Sequence, residues 1–373
     1  MTTPVRYHLG QFPPRDIKWE GLVPLIGKAN AALARYDGLV AAVPNAALLL
    51  SPLMTQEAVL SSKIEGTTVT MGEVLEIEAG AADNFSQTFR DDVEEINNYR
   101  AALSYAAKAV AERLLTPHLL REAHAMLMRG VRGENKDPGA FRTQQNWIGT
   151  RGCSIDEASF VPIAQEHLLA GIDLWASYVA GDAERDPLVQ LAIVHAEFEA
   201  LHPFKDGNGR LGRMIIPLFL FERKLLSGPN FYMSGYLETH RDEYIERLRA
   251  ISRDGAWTAW CAFFLQGVVE QALENRAKAQ AIVALHKRML GTVAELTRSQ
   301  FAGKAVDFLF SRPVFSSTHF IAQSQIPRPT ALRFLSVLRD AGILRPVRIR
   351  SGRRPSIFLF TELLTITEGR VLA

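Results

Sequence analysis

Along most of the chain the apolar residues recur at three- and four-residue intervals, the spacing that lines one side of a helix. Leu22, Leu25, Ile26 and Leu33 open such a run between Asp16 and Glu112, and breaks at Pro44, Gly66 and residues 80–85 divide it into several helices. Thr116-Pro117 supplies a cap and a first-turn proline before Leu119, Leu120, Ala123 and Leu127, which predicts a helix ending near Gly130. The pattern then changes. Residues 141–162 are rich in Gly, Thr, Asn, Trp and Ile, with a turn at Arg151-Gly152, so a short hairpin forming a flap over 142–162 is expected. Helical spacing returns over 163–179 and 187–201, where Leu191, Val194, Phe198 and Leu201 share a face. Further helices are expected over 210–226, 241–252 and from Trp257 to about Met289, the first containing Pro217, which removes one hydrogen bond.

The last segment has its own order. Phe315-Ser316-Ser317-Thr318 can cap a short helix through Ala322, residues 324–327 make a turn, and Pro329-Thr330 opens a second helix ending at Gly342. Strand candidates at 343–349 and 356–360 flank Arg350-Ser351-Gly352-Arg353-Arg354. Helix, turn, helix and hairpin in this order look like a winged helix-turn-helix domain. The expected organisation is mainly α: a helical region at 1–112, a helical core with the flap at 113–290, and the winged domain at 300–373.

Composition changes this picture little. The 373 residues are 47% hydrophobic, ample for a sizeable core, and 42 Lys plus Arg against 40 Asp plus Glu leave a net charge of +2 that points to no partner class. Charge is concentrated in the tail, where eleven basic residues from Lys304 to Arg370 face Asp307, Asp340, Glu362 and Glu368. That local excess fits DNA binding by the winged helix, and docking or dimerisation fits its fold equally well. Cys153 and Cys261 have no metal or redox spacing and read as free thiols of a reducing compartment. With no signal-like or membrane-spanning stretch, a cytoplasmic protein with no membrane partner is expected.

The chemistry is concentrated in His202-Pro203-Phe204-Lys205-Asp206-Gly207-Asn208-Gly209-Arg210-Leu211-Gly212-Arg213. Gly207 and Gly209 let the backbone bring N–H groups against an anion at the start of a helix, whose N-terminus favours negative charge. Asn208 tolerates the left-handed region and can donate from its amide, while Arg210 and Arg213, three apart, present forked donors suited to phosphate oxygens. Asp206 offers a hard oxygen that beside phosphates can hold Mg2+. His202 ends a helix before Pro203, should point into a cavity, and can take a hydroxyl proton as general base. The Gly-x-x-x-x-Gly-Lys pattern of P-loop ATPases is absent. His195, seven residues before His202 and so on the same helix face, reads as a buried or capping histidine rather than a metal ligand.

His-x-Phe-x-Asp-Gly-Asn-Gly-Arg-x-x-Arg resembles the signature of the Fic family of protein adenylyltransferases. The resemblance implies a helical core that binds ATP with Mg2+, and transfer of AMP to a Ser, Thr or Tyr hydroxyl of a target protein with release of pyrophosphate. Carried onto this chain, His202 is the base, Asp206 the magnesium-linked carboxylate, Gly207, Asn208 and Gly209 the anion cradle, Arg210 and Arg213 the contacts to the outer phosphates, and Leu211 and Gly212 complete the loop. The stretch from Trp147, Ile148 and Gly149 to Phe160 resembles the family's flap, which holds the target as an added strand. Tyr244 fits two readings, an aromatic near the nucleotide base and a core residue beside Leu248. Ser61-x-x-x-Glu65-Gly66 resembles the inhibitory motif of one class of the family. There, the resemblance implies, the glutamate pairs with Arg213, withdraws it from the γ-phosphate and, in some members, also supports removal of AMP. Homodimers are common by the same resemblance. Transfer of UMP, GMP, a phosphoryl or a phosphocholine group stays open, and so does a DNA-binding regulator whose ATP site is a sensor, although a sensor needs no base at His202.

Overall fold

The computed structural model describes residues 3–43, 45–130, 134–150, 152–348 and 355–369. The helices α1 to α8 are Trp19–Ala41, Ala46–Leu49, Ser51–Ile64, Met71–Glu76, Gln87–Val110, Pro117–Leu127, Leu168–Ala180 and Pro187–Leu201. Helices α9 to α16 are Asn208–Glu222, Ser234–Thr239, Arg241–Asp254, Trp257–Thr297, Ala302–Ser311, Ser317–Gln323, Arg328–Asp340 and Thr361–Glu368. Five short strands accompany them: β1 (Val5–Arg6), β2 (Phe160–Val161), β3 (Val314–Ser316), β4 (Arg345–Arg348) and β5 (Ile357–Leu359). The protein is mainly helical, as its periodicity predicts.

Two compact bodies form, interleaved along the chain. One comprises Met1–Asp37, Leu60–Gly66 and Asn97–Leu273, the other Gly38–Val59, Thr67–Ile96 and Glu274–Ala373.

The first body is built around α8. The sequence assigns this helix one apolar face, but almost every residue of it is buried, including Gln190, His195 and Glu197. A helix apolar on all sides belongs inside, and its polar residues then need partners. Trp175 and Trp260 donate their indole N–H groups to the carbonyls of Val194 (2.9 Å) and Ala192 (2.7 Å), and Gln190 donates to the carbonyls of Tyr178 and Gly181. Glu197 accepts from the Tyr7 hydroxyl at 2.6 Å and pairs with His8 at 2.9 Å, which in turn meets Ser252 Oγ at 2.7 Å. These bonds tie the segment around β1 to α8 and α11. The start of α8 is set by Asp186, whose Oδ1 accepts from Leu188 N (2.9 Å) and Val189 N (3.3 Å), with Pro187 in the first turn.

The flap differs from the expected hairpin. Among the described residues its two arms meet at a single antiparallel bridge, Ile148 with Phe160, and β2 instead pairs in parallel with β1, Val5 against Phe160 and Arg6 against Val161. The Ser154-to-Glu157 capping box folds the tip into a short helical turn, which uses the residues a longer ladder would need. The Arg151 half of the expected turn lies outside the described residues. Helix α9 ends at Glu222, before Lys224 in the left-handed region, and contains Pro217 without a break, whereas α12 runs on to Thr297.

In the second body β3, β5 and β4 form an antiparallel sheet in that order, with α14 and α15 between β3 and β4. Ser316 caps α14 by accepting from His319 N at 3.2 Å. Residues 349–354, the expected turn between the two strands, lie outside the described residues, as does the expected break at Pro44.

Replacing Asp186 by Ala removes both first-turn bonds and the 3.1 Å bond from Asn30. Urea unfolding should show a loss of about 1–2 kcal/mol, largely recovered in Asp186→Ser.

Candidate active site

The corner between α8 and α9 brings the predicted loop together. His202 caps α8 with φ 48° and ψ 58°, and Gly207 heads α9 with φ 74° and no side chain capping the first turn among the described residues. Gly207, not Asn208, therefore takes the left-handed position. Asn208 is helical and buried, and its amide clamps the loop on itself, accepting from Phe204 N at 2.8 Å and donating to Phe204 O at 2.9 Å. One donor of its amide is thus taken up within the loop. Asp206 Oδ1 accepts from Gly207 N at 2.6 Å and lies 3.5 Å from Arg210 Nη2.

Gly209 is helical, and its missing side chain provides space rather than an unusual dihedral. A Cβ there would lie 2.4 Å from Glu65 Oε1 and 3.0 Å from Arg213 Nη1. The Glu65 carboxylate thus rests over the first turn of α9, where a helix N-terminus attracts an anion. Arg213 holds it: Nη2 donates to Glu65 Oε1 at 2.6 Å and to Ser61 O at 2.9 Å, and Nε donates to Ser61 Oγ at 2.8 Å. Desolvation of the Glu65 carboxylate, whose side chain is still 44% exposed, works against its charged form, but the charge and hydrogen bond of Arg213 outweigh it, with the charge of Arg210 adding, and keep the carboxyl below its usual range. The end of α3 is pinned further by Arg241, which donates to Ile64 O at 2.9 Å, and by the Lys63–Glu238 pair at 2.8 Å. Gly66 follows with φ 106°, as a helix-ending glycine should.

Burial, opposed by a hydrogen bond to the backbone of Glu199, pushes the His202 pKa down to about 4, so its ring is neutral at pH 7. Asp206 is the one carboxylate of the loop, and no group of three or more His, Cys, Asp or Glu that could hold a metal occurs among the described residues. A divalent ion at Asp206 would therefore draw its other ligands from phosphate and water, the coordination Mg2+ accepts.

Several expected site residues turn inward instead. Leu211 is fully buried, and its N–H is spent on Gly207 O at 3.0 Å. Gly212 makes room for Glu199, whose Oε1 would be 2.2 Å from a Cβ there, and its carbonyl accepts from His195 Nδ1 at 3.0 Å. Tyr244 is 3% exposed and donates its hydroxyl proton to His195 Nε2 at 2.9 Å, which puts it in the core behind Arg213 and leaves no open face for a nucleotide base. His195 is the buried histidine the sequence suggests. In the flap, Trp147 and Ile148 are exposed and Gly149 lies beside them, but Phe160 packs inward with Val5 and Ala200.

Three side chains at the site have a place there that the sequence does not assign. His124 stacks on Phe204 and joins two loops, accepting from Gly139 N at 2.9 Å and donating to Asp206 O at 3.0 Å. Glu199 stands near Arg213; burial, opposed by Arg213 and assisted by Glu65, raises its pKa to about 7. Arg142 donates to the His202 carbonyl. A single basic or acidic residue inside an apolar helix or a mixed loop looks the same whether it is solvated or buried, so only packing reveals these three.

The Fic/DOC family N-terminal model matches residues 23–108 and the Fic/DOC family model residues 114–220. The chain belongs to the Fic/DOC family. Over 170 residues it is 28% identical to "Protein adenylyltransferase fic-1" of Caenorhabditis briggsae, covering 42% of this chain and 30% of that protein. A "Probable protein adenylyltransferase" of Aquifex aeolicus (strain VF5) is 38% identical over 64 residues, 17% of this chain and 18% of that one. The chain thus spans less than a third of the length of these relatives. Among solved structures, a Fic family protein from Desulfovibrio desulfuricans G20 has the same fold, with TM-score 0.59, 20% identity, and coverage of 94% of this chain and 98% of that one. Fic-1 from C. elegans aligns with TM-score 0.52 at 17% identity, over 72% of this chain and 75% of that one.

The buried histidines give the fold an acid limit. Burial lowers His124 to about 4 and His195 to about 3, against about 6.5 in an unfolded chain. Between those values the unfolded state binds more protons, so this stability is complete above about pH 6.5 and is lost as pH falls toward 4, approaching about 1.4 kcal/mol per pH unit for each group. Urea midpoints measured from pH 7.5 to 5 should fall, and fall less steeply in His195→Gln.

Proposed function

We infer that the chain transfers AMP from ATP to a hydroxyl side chain of a target protein and that Glu65 holds this activity off. One observation carries the reading: a carboxylate, bonded to Arg213, rests over Gly209 at the head of a helix that otherwise offers its N-terminus to a phosphate. His202, neutral and at the rim of that corner, takes the proton of the attacking hydroxyl. The negative charge of a bound polyphosphate favours the imidazolium and so strengthens this base when substrate is present. The first-turn N–H groups of α9 and the guanidinium of Arg210 orient the phosphates, and Asp206 is the residue that would hold Mg2+, which supplies charge neutralisation to the leaving pyrophosphate. With Glu65 in place the outer phosphate and the carboxylate compete for Arg213, and ATP sits unreactively. Trp147 and Ile148 present the free edge of the flap to a target strand, since β1 already covers the other edge of β2.

The test uses ATP labelled at the α-phosphate, MgCl2 and a cell lysate. Removing one charge-assisted bond releases about 1.5–3 kcal/mol of restraint, so labelling should rise roughly ten-fold or more in Glu65→Gly. It should vanish in Glu65→Gly carrying His202→Ala, where loss of the base costs about 10²–10⁴-fold. ATP bound without label on any protein would sink the transfer reading in favour of another donor or a sensor.

The second body supports a winged-helix reading through its order of helix, strand, two helices and paired strands. Helix α15 exposes Arg328, Leu332 and Arg333, so a DNA role is proposed for it. Gel shift with random-sequence duplex at low salt should show binding that Arg328→Ala with Arg333→Ala weakens. Equal binding by the double variant would remove α15 from that role.

A further inference from the structure

At the end of α8 four consecutive carbonyls, Leu201 to Phe204, are all taken from the stem of the flap. Arg142 donates from Nε to His202 O at 3.0 Å, from Nη2 to Leu201 O at 3.4 Å, and from its backbone N–H to Pro203 O at 2.9 Å. Asn146 Nδ2 reaches Phe204 O at 3.1 Å and His202 O at 3.4 Å. The remaining guanidinium donors brace the stem itself, at the carbonyls of Gln144 and Ile163.

This arrangement is costly, which is why it calls for a role. Arg142 is 3% exposed, and its hydrogen-bond partners among the described residues are all carbonyls, without a carboxylate. A buried cation lacking a counter-ion is tolerated where something collects negative potential, and the C-terminal end of a helix does so. The residue it pins has a backbone that is itself ill at ease. His202 occupies the left-handed region, rare for a side chain with a Cβ, and Pro203 restricts it further. Without the stem, the chain could relax at His202 and swing its ring off the loop.

We propose that Arg142 and Asn146 are positioning residues for His202, a staple that holds the strained backbone of the base and fixes the flap and the base in one register. Their bonds reach residues 201–204 and the stem, not α9, so nucleotide binding is left intact while the aim of the base is lost. The kinetic consequence rests on the transfer reading; the geometric one does not.

The experiment compares Arg142→Gln, Arg142→Lys and Asn146→Ala in the Glu65→Gly background. ATP affinity, the transfer rate at saturating ATP across pH, and the His202 titration by NMR, assigned with His202→Gln, are measured. In Arg142→Gln the affinity should stay within about two-fold while the maximal rate falls roughly ten-fold or more, since a misplacement of about 1 Å can cost on the order of 10²-fold. Arg142→Lys, which keeps the charge but only one donor nitrogen, should recover part of the rate, and Asn146→Ala should lose less than Arg142→Gln. Removing a neighbouring cation favours the imidazolium, so the His202 titration and the acid limb of the rate should move to higher pH in Arg142→Gln. An unchanged rate, an ATP affinity that falls in step with the rate, or an unmoved His202 titration overturns the proposal. If Arg142→Gln does not fold, Asn146→Ala decides alone, and parent-level transfer there overturns it. A Glu65→Gly parent that transfers nothing defeats the transfer reading instead, and the staple is then judged by the His202 titration.

Discussion

Arg213 is a guanidinium with its side chain 2% exposed, and a charge so placed must be answered from within the protein. Much of the site follows from that demand. Ser61 gives it a hydroxyl and a carbonyl, Glu65 a carboxylate, and Glu199 and Tyr244 lie in its field. The same charge holds Glu65 below the usual carboxyl range and opposes the rise that burial causes at Glu199. Because the carboxylate that satisfies Arg213 rests over Gly209, the neutraliser of the arginine and the occupant of the helix N-terminus are one group. Under the proposed reading, phosphate and Glu65 compete for a single vacancy of positive potential.

The corner that presents this potential depends on backbone more than on side chains. Two helices buried on nearly all sides are joined by six residues, and the join works because His202 and Gly207 both enter the left-handed region. Glycine does so freely. Histidine does not, and its neighbours compensate: Asn208 closes the loop on Phe204, His124 holds Asp206 O, and the flap stem takes the carbonyls from Leu201 onward. Burial also keeps His202 neutral, so its ring and the cations around Glu65 coexist without mutual repulsion.

Local rules read much of this from the chain. Thr116 and Ser316 cap the helices their positions suggest, Pro187 opens α8, and Gly66 ends the turn after α3. The loop from His202 to Arg213 is recognisable because its residue types are rare together at that spacing. Which of them face a ligand is harder to read for a physical reason: on a buried helix every direction is inside, so Leu211 and Asn208 pack in the core and Arg210 is itself buried beside them. The flap misleads in a similar way. Its strand-like residues are real, but β2 finds its partner in β1, more than 150 residues distant in sequence, where turn signals give no information.

What the sequence alone determined, then, is the helical class, the caps, the residue types gathered in the loop and the pairing of Glu65 with Arg213 that its resemblance implied. Those depend on neighbours along the chain or on a motif dense enough to stand by itself. Tertiary structure alone decided that Tyr244 lies behind Arg213, that Phe160 turns inward, that Glu199 and His124 border the loop, and that Arg142 grips the carbonyl of His202. Each of these depends on burial and on partners far away in sequence. A side chain's charge, aim and hydrogen bonds are set by whatever packs against it, and no periodicity along the chain encodes that.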